Sequence, residues 1–145
     1  MRLHETEAFA ASPPAQPVNN LAGNGTHLLA EWYDCDFSVA ALGNAQTLRE
    51  LCLLSTRDCG LKAVGDAFQQ FEPHGVTGTV LLAESHLAIH TWPESGAVTL
   101  DVYVYVCNYL ADNTDKALKL YALLKAQFQT GREKLSSVRR GLQDA

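Results

Sequence analysis

Residues 84–94 read Glu-Ser-His-Leu-Ala-Ile-His-Thr-Trp-Pro-Glu and gather several reactive side chains into one short run. Ser85 carries a nucleophile on its β carbon, directly after the Glu84 carbonyl. Such a side chain can attack the preceding carbonyl and later leave by β-elimination, and only Ser, Cys or Thr can do both. His86 and His90 add imidazoles, the side chain best suited to moving protons near neutral pH. A Glu-Ser pair is also an ordinary strand-end turn, so the dipeptide alone decides nothing. A zinc reading fails on local structure. His86 and His90 would share one face of a helix, but Thr91-Trp92-Pro93 and the β-branched residues around them disfavour a helix. No third and fourth ligands fit, and no metal is expected.

Other residues extend the pattern. Gly75-Val76-Thr77-Gly78 leads toward the Glu-Ser pair, Asp101-Val102-Tyr103-Val104 follows it, and Gly-Thr-His-Leu-Leu-Ala-Glu-Trp-Tyr-Asp-Cys-Asp spans 25–36. Over roughly His27 to Tyr109 these motifs resemble the prokaryotic S-adenosylmethionine decarboxylase proenzymes, which are pyruvoyl-dependent. The resemblance implies that the Glu84–Ser85 bond breaks autocatalytically. The Ser85 hydroxyl turns the amide into an ester, a base removes the serine α proton, and β-elimination releases a chain ending at Glu84. Residue 85 then becomes a pyruvoyl ketone with loss of ammonia. That ketone forms a Schiff base with the substrate amine and accepts electrons as the carboxylate leaves. The implied products are a β chain of residues 1–84 and an α chain of 85–145.

The remaining roles also follow from the resemblance. His90 matches the base that takes the α proton, and Thr77 matches a processing hydroxyl that is usually Ser. Phe71 matches an aromatic placed against the adenine ring, and Glu94 a carboxylate that holds ribose hydroxyls. The proton donor is split between two positions. The family pattern Asp-Val-x-x-Cys is lengthened here by two residues, to Asp101-Val102-Tyr103-Val104-Tyr105-Val106-Cys107. Counting from Asp101 puts Tyr105 at the cysteine position, and counting back from Asn108-Tyr109 puts Cys107 there. Cys107 is the preferred donor and Tyr105 the fallback. An unabsorbed insertion would displace Cys107 by about 6.6 Å along the strand, beyond the reach of direct proton transfer. One further difficulty concerns Ser85 and His90. Their odd separation puts them on opposite faces of a straight strand, so a bend or a neighbouring subunit must bring them together. His86 matches no step.

The implied activity is decarboxylation of S-adenosylmethionine, which supplies the aminopropyl donor for spermidine synthesis, by a homodimer whose active sites are completed across subunits. Two rivals stand. One is a pyruvoyl-dependent ornithine or arginine decarboxylase on the same scaffold. The other is a catalytically weak regulatory paralogue.

The chain must also build a frame for these residues. Its 145 residues, 47% apolar, suffice for one domain with a normal core. The formal charge of −5 argues against nucleic acid and anionic membranes as partners. No apolar run reaches membrane-spanning length. Cys35, Cys52, Cys59 and Cys107 lack Cys-x-x-Cys spacing and read as free thiols of a cytoplasmic protein.

Residues 1–24, with Pro13, Pro14 and Pro17, read as a flexible tail. A single catalytic domain follows over 25–131, and 132–145 read as a loose polar tail. Strands are expected at 27–32, 62–71, 76–83, 87–92 and 98–107. Helices are expected at 44–59, with Leu48, Leu51, Cys52 and Ser55 on one face, and at 112–129. The apolar side of the second helix reads as Leu118, Tyr121, Ala122, Leu124 and Phe128, with Asp112 or Thr114 as its cap. Consecutive strands on short turns pair antiparallel. The fold class is therefore a two-layer α/β sandwich, a mainly antiparallel sheet with helices packed on one face.

Denaturing intact-mass analysis of fresh protein should show two chains, one ending at Glu84. The second should begin at residue 85 and be lighter by one ammonia than simple hydrolysis would leave it. A single uncleaved chain that persists on incubation contradicts self-processing.

Overall fold

From Gly25 to Tyr33 buried and more open side chains alternate, and the stretch forms strand β1, with Thr26, Leu28, Ala30 and Trp32 turned inward. The computed structural model describes residues 25–36, 38–83, 85–105 and 114–141. After β1 come α1 (Ala45–Asp58), β2 (Ala63–Gln70), β3 (Val76–Leu82) and β4 (Ser85–Trp92). Then follow β5 (Ala97–Tyr105), α2 (Thr114–Gln127) and β6 (Arg132–Arg140). Single 3-10 turns lie at Ala40–Leu42 and Pro93–Ser95. Among the described residues the strands form one antiparallel sheet in the order β2-β3-β4-β5-β1-β6. Both helices pack on the same face, so the molecule is the two-layer α/β sandwich expected from the sequence.

Local chemistry explains each helix. Asn44 caps α1 by accepting from the Thr47 backbone N–H at 2.9 Å. The helix ends where Gly60 takes a positive φ of 76°. Leu48, Cys52, Ser55 and Thr56 are its buried positions, and Arg49 clamps it to β2 through Asp66 at 2.7 Å. Under this helix face Gly78 is obligatory. A Cβ there would lie 2.2 Å from the Phe68 ring, so only glycine lets the ring cross β3.

α2 corrects part of the expected apolar face. Leu118 and Ala122 are exposed, and the buried stripe is Ala117, Leu120, Tyr121, Leu124 and Phe128. Thr114 opens this helix, and its hydroxyl meets that of Thr26 at 2.9 Å. Asp112 lies outside the described residues.

The larger correction concerns residues 132–140, expected to be a loose polar tail. They form β6, paired with β1 along its whole length. Every β6 side chain is exposed, so the segment carries no burial-driven alternation for a sequence reading to detect. Backbone pairing holds it, helped by Arg132 on Asp34 at 2.6 Å and Lys125 on Glu133 at 2.9 Å. Tyr121 links the layers. It accepts from the buried Trp32 indole N–H at 2.8 Å and donates to Glu133. Burial, then the Glu133 carboxylate, pushes the Tyr121 phenol up to about 12, so it remains a donor.

Tyr121→Phe leaves the Trp32 N–H buried without a partner and removes an anchor of β6. A destabilisation of about 1–3 kcal/mol is expected, read from the midpoint of urea unfolding.

Candidate functional site

Among the described residues, the helices seal one face of the sheet and leave the other bare. On the bare face, β3 and β4 are paired so that Thr77 stands opposite His90. Thr77 Oγ1 and His90 Nδ1 are 2.9 Å apart. The pair lines a pocket of about 230 Å³ that also takes in Phe71, His74, Trp92 and Glu94. A larger trough of about 330 Å³ runs on from the pair toward β2, over Ala67, Gln69, Thr79 and Ala88. The Phe71 ring is half exposed, and His90 and Trp92 have ring centroids 5.9 Å apart. Four residues singled out in the sequence, Phe71, Thr77, His90 and Glu94, thus meet in one place.

A small polar device positions the pocket. Phe71 N–H donates to Gly75 O at 2.8 Å and closes the turn between β2 and β3. Gly75 has φ 126°, where a side chain would be strained. The Gln70 amide pins this turn to the start of α1. Its Oε1 accepts from the Ala45 N–H at 2.7 Å, and its Nε2 donates to Gly43 O at 3.0 Å and Gly75 O at 3.1 Å. Gln70 and His74 escaped the sequence reading. A single Gln carries no motif, and His74 sits in a turn whose course only the fold sets.

Ser85 is not in this pocket. It opens β4 at the far end, where its Oγ accepts from the Tyr105 backbone N–H at 2.8 Å. Five residues of strand separate it from His90, roughly 17 Å. Ser85 shares the parity of Leu87 and Ile89, which are buried under the helices, whereas His90 is on the bare face. The opposition of faces expected from the odd spacing is therefore present within one chain. His86 and His90 are about 13 Å apart along β4, too far to share a metal ion. Glu84 and Cys107 lie outside the described residues. Tyr105 belongs to the bare face, while its backbone touches Ser85.

His86, which matched no step, belongs to a second cluster on the bare face. Its ring lies 5.6 Å from Tyr103 and 6.0 Å from His27, and Arg140 sits 4.4 Å above the Tyr103 ring. His27 Nε2 is buried with no hydrogen-bond partner among the described residues. Burial lowers the His27 pKa, with Asp101 opposing and Arg140 and His86 adding to the fall. The described cysteines take another role. Cys35, Cys52 and Cys59 are buried and unpaired, and burial pushes the Cys52 thiol up to about 12. A thiol held neutral in this way is a packing residue, not a nucleophile.

Comparison with known proteins agrees with this architecture. A family model described as S-adenosylmethionine decarboxylase matches residues 26–141. The S-adenosylmethionine decarboxylase proenzyme of Syntrophomonas wolfei is 35% identical over 128 residues, covering 83% of this chain and 89% of the relative. That of Carboxydothermus hydrogenoformans is 38% identical over 109 residues, covering 75% and 83%. The crystal structure of the adenosylmethionine decarboxylase from Aquifex aeolicus superposes with a TM-score of 0.73 at 33% identity, covering 83% of this chain and 92% of that one. Fold and matched span together define an α/β-sandwich decarboxylase. The chain belongs to the S-adenosylmethionine decarboxylase family.

Gln70→Ala removes the acceptor of the Ala45 N–H and the tie to the Phe71–Gly75 turn. Amide hydrogen exchange at Ala45 should accelerate by about tenfold or more, with the Val80 and Ile89 amides unchanged.

Proposed function

We propose that this protein is a self-processing decarboxylase that converts S-adenosylmethionine to decarboxylated S-adenosylmethionine and carbon dioxide, the aminopropyl donor for spermidine synthesis. The observation that carries the reading is the Thr77–His90 pair at 2.9 Å, set in one pocket with Phe71 and Glu94. Phe71 offers a flat apolar surface to the adenine. The Glu94 carboxylate accepts from the two ribose hydroxyls. This favours a nucleoside substrate over ornithine or arginine, which have neither adenine nor ribose.

His90 acts as the base of processing. With Nδ1–H donating to Thr77 Oγ1, Nε2 presents its lone pair and takes the α proton of Ser85. Thr77 fixes the ring and the tautomer, and its hydroxyl also serves the oxyanion that forms as Ser85 attacks the Glu84 carbonyl. The cofactor is a pyruvoyl group made from Ser85. Ser85 Oγ accepts from the Tyr105 N–H, which holds the hydroxyl of the precursor at the head of β4; on conversion that oxygen leaves with Glu84 and the ketone oxygen takes the place of the lost nitrogen. When formed, it supplies a carbonyl that binds the substrate amine and draws off the electrons left by decarboxylation. Cys107 returns a proton to the product carbon. Tyr105 is the fallback, and it keeps its place beside Ser85 through the backbone.

Ser85 and His90 of one chain lie too far apart to react, so we assign each site to two chains. In a homodimer joined through the bare sheet faces, His90 and Thr77 of one protomer serve Ser85 of the other, and because Ser85 shares the face covered by the helices, a bend at the start of β4 must turn it toward the partner. The exposed apolar residues of that face support this. Leu29, Tyr33, Phe71, Leu81, Trp92 and Val138 all lie on it or at its rim, an apolar expanse of the kind that marks an association surface.

Co-expression of Ser85→Ala and His90→Ala chains with distinct tags tests the shared site. In the hybrid, the His90→Ala chain keeps its serine and meets an intact histidine on its partner, so it alone should be cleaved. No cleavage of either chain contradicts the shared site. Release of carbon dioxide from carboxyl-labelled S-adenosylmethionine by the wild-type protein tests the activity. Normal cleavage without release would favour the regulatory paralogue, and release from labelled ornithine or arginine instead would change the substrate.

A further inference from the structure

The turn that carries Phe71 also carries His74, which has no role in the proposal so far. His74 packs beside Gly43, its Cβ lying 3.8 Å from where a side chain on Gly43 would begin. The Gln70 amide holds that turn through Gly43 O and Gly75 O. From there His74 Nε2 reaches to 3.7 Å from Glu94 Oε2. Both side chains line the pocket and both are substantially exposed to it. The distance is too long for a direct hydrogen bond. It does suit a third atom. A hydroxyl oxygen can stand about 2.9 Å from the nitrogen and about 2.7 Å from the carboxylate oxygen while those two remain at this separation.

We propose that His74 is a specificity-determining residue of the nucleoside pocket, donating from Nε2–H to one sugar hydroxyl while Glu94 accepts from the same hydroxyl. The inference rests on the reading of Phe71 and Glu94 as the nucleoside subsite and names a further group in it. The chemistry is complementary. A carboxylate can only accept, so Glu94 alone binds a diol through the hydroxyl hydrogens. A donor facing it uses the oxygen lone pairs of the same group. The pair therefore recognises a hydroxyl as donor and acceptor together, and it discriminates against a deoxy sugar more strongly than either partner alone.

Steady-state kinetics on the processed full-length protein test this, with S-adenosylmethionine and its 2′-deoxyribose and 3′-deoxyribose analogues as probes. His74→Ala should raise KM for S-adenosylmethionine by about tenfold, with kcat and the extent of self-cleavage held. On one of the two deoxy analogues, the wild type and His74→Ala should differ by less than twofold. His74→Gln keeps an N–H donor and should recover most of the lost affinity. An unchanged KM in His74→Ala, a fall confined to kcat, or an equal penalty on all three compounds overturns the role of His74. Glu94→Gln and Phe71→Ala separate the two levels. If both raise KM while His74→Ala does not, the subsite stands and this inference fails. If neither raises KM, the subsite reading itself fails and His74 falls with it.

Discussion

Among the described residues, helices cover one side of this sheet and leave the other side bare, and the two-residue repeat of a strand then sorts the side chains. Leu28, Trp32, Val80, Leu87, Ile89, Leu100 and Val102 fall on the covered side and make the core with α1 and α2. Thr77, His86, His90, Asp101 and Tyr103 fall on the other. A register slip of one residue would bury the imidazoles and expose the leucines, so burial of the core specifies which groups remain available for chemistry. The Trp32–Tyr121–Glu133 chain strengthens this ordering. It passes from β1 through α2 to the neighbouring edge strand β6 and satisfies the buried indole N–H on the way.

The same sorting separates Ser85 from its proposed base. The serine opens a strand whose neighbouring odd-numbered residues lie under the helices, and the histidine belongs to the even-numbered row outside. Within one chain the two groups stand on opposite faces, roughly 17 Å apart along the strand. In the proposed dimer the separation becomes useful, because processing then requires assembly. An isolated chain would hold the serine, the histidine and the intact peptide bond without reaction. Closure of two bare faces would also remove water from the carboxylates and imidazoles between them, which strengthens every electrostatic contact there.

The residues show why some of this was legible. β1 and β4 were legible as short runs stopped by turn residues, and α1 by an apolar face ended at Gly60. β6 was not, because a strand whose side chains are all exposed owes its place to backbone pairing with β1. Leu118 and Ala122 misled because apolar character is not burial. The stripe that meets the sheet is set by the angle at which α2 lies, and that left both residues in solvent. Phe71, Thr77, His90 and Glu94 were identified by motif, and the structure joins them. Gln70 and His74 had no motif to mark them.

By itself the sequence determined the fold class, the reactive run around Ser85, the family and the sign of the net charge. These depend on local pattern and on residues adjacent in the chain. Tertiary structure decided that Phe71 and Glu94 face one pocket, that Gln70 ties the pocket turn to α1, and that Ser85 stands at the other end of β4 against the Tyr105 backbone. Those facts depend on strand pairing and on which face the helices cover. Both arise from contacts between residues far apart in the chain, and no local spacing encodes them.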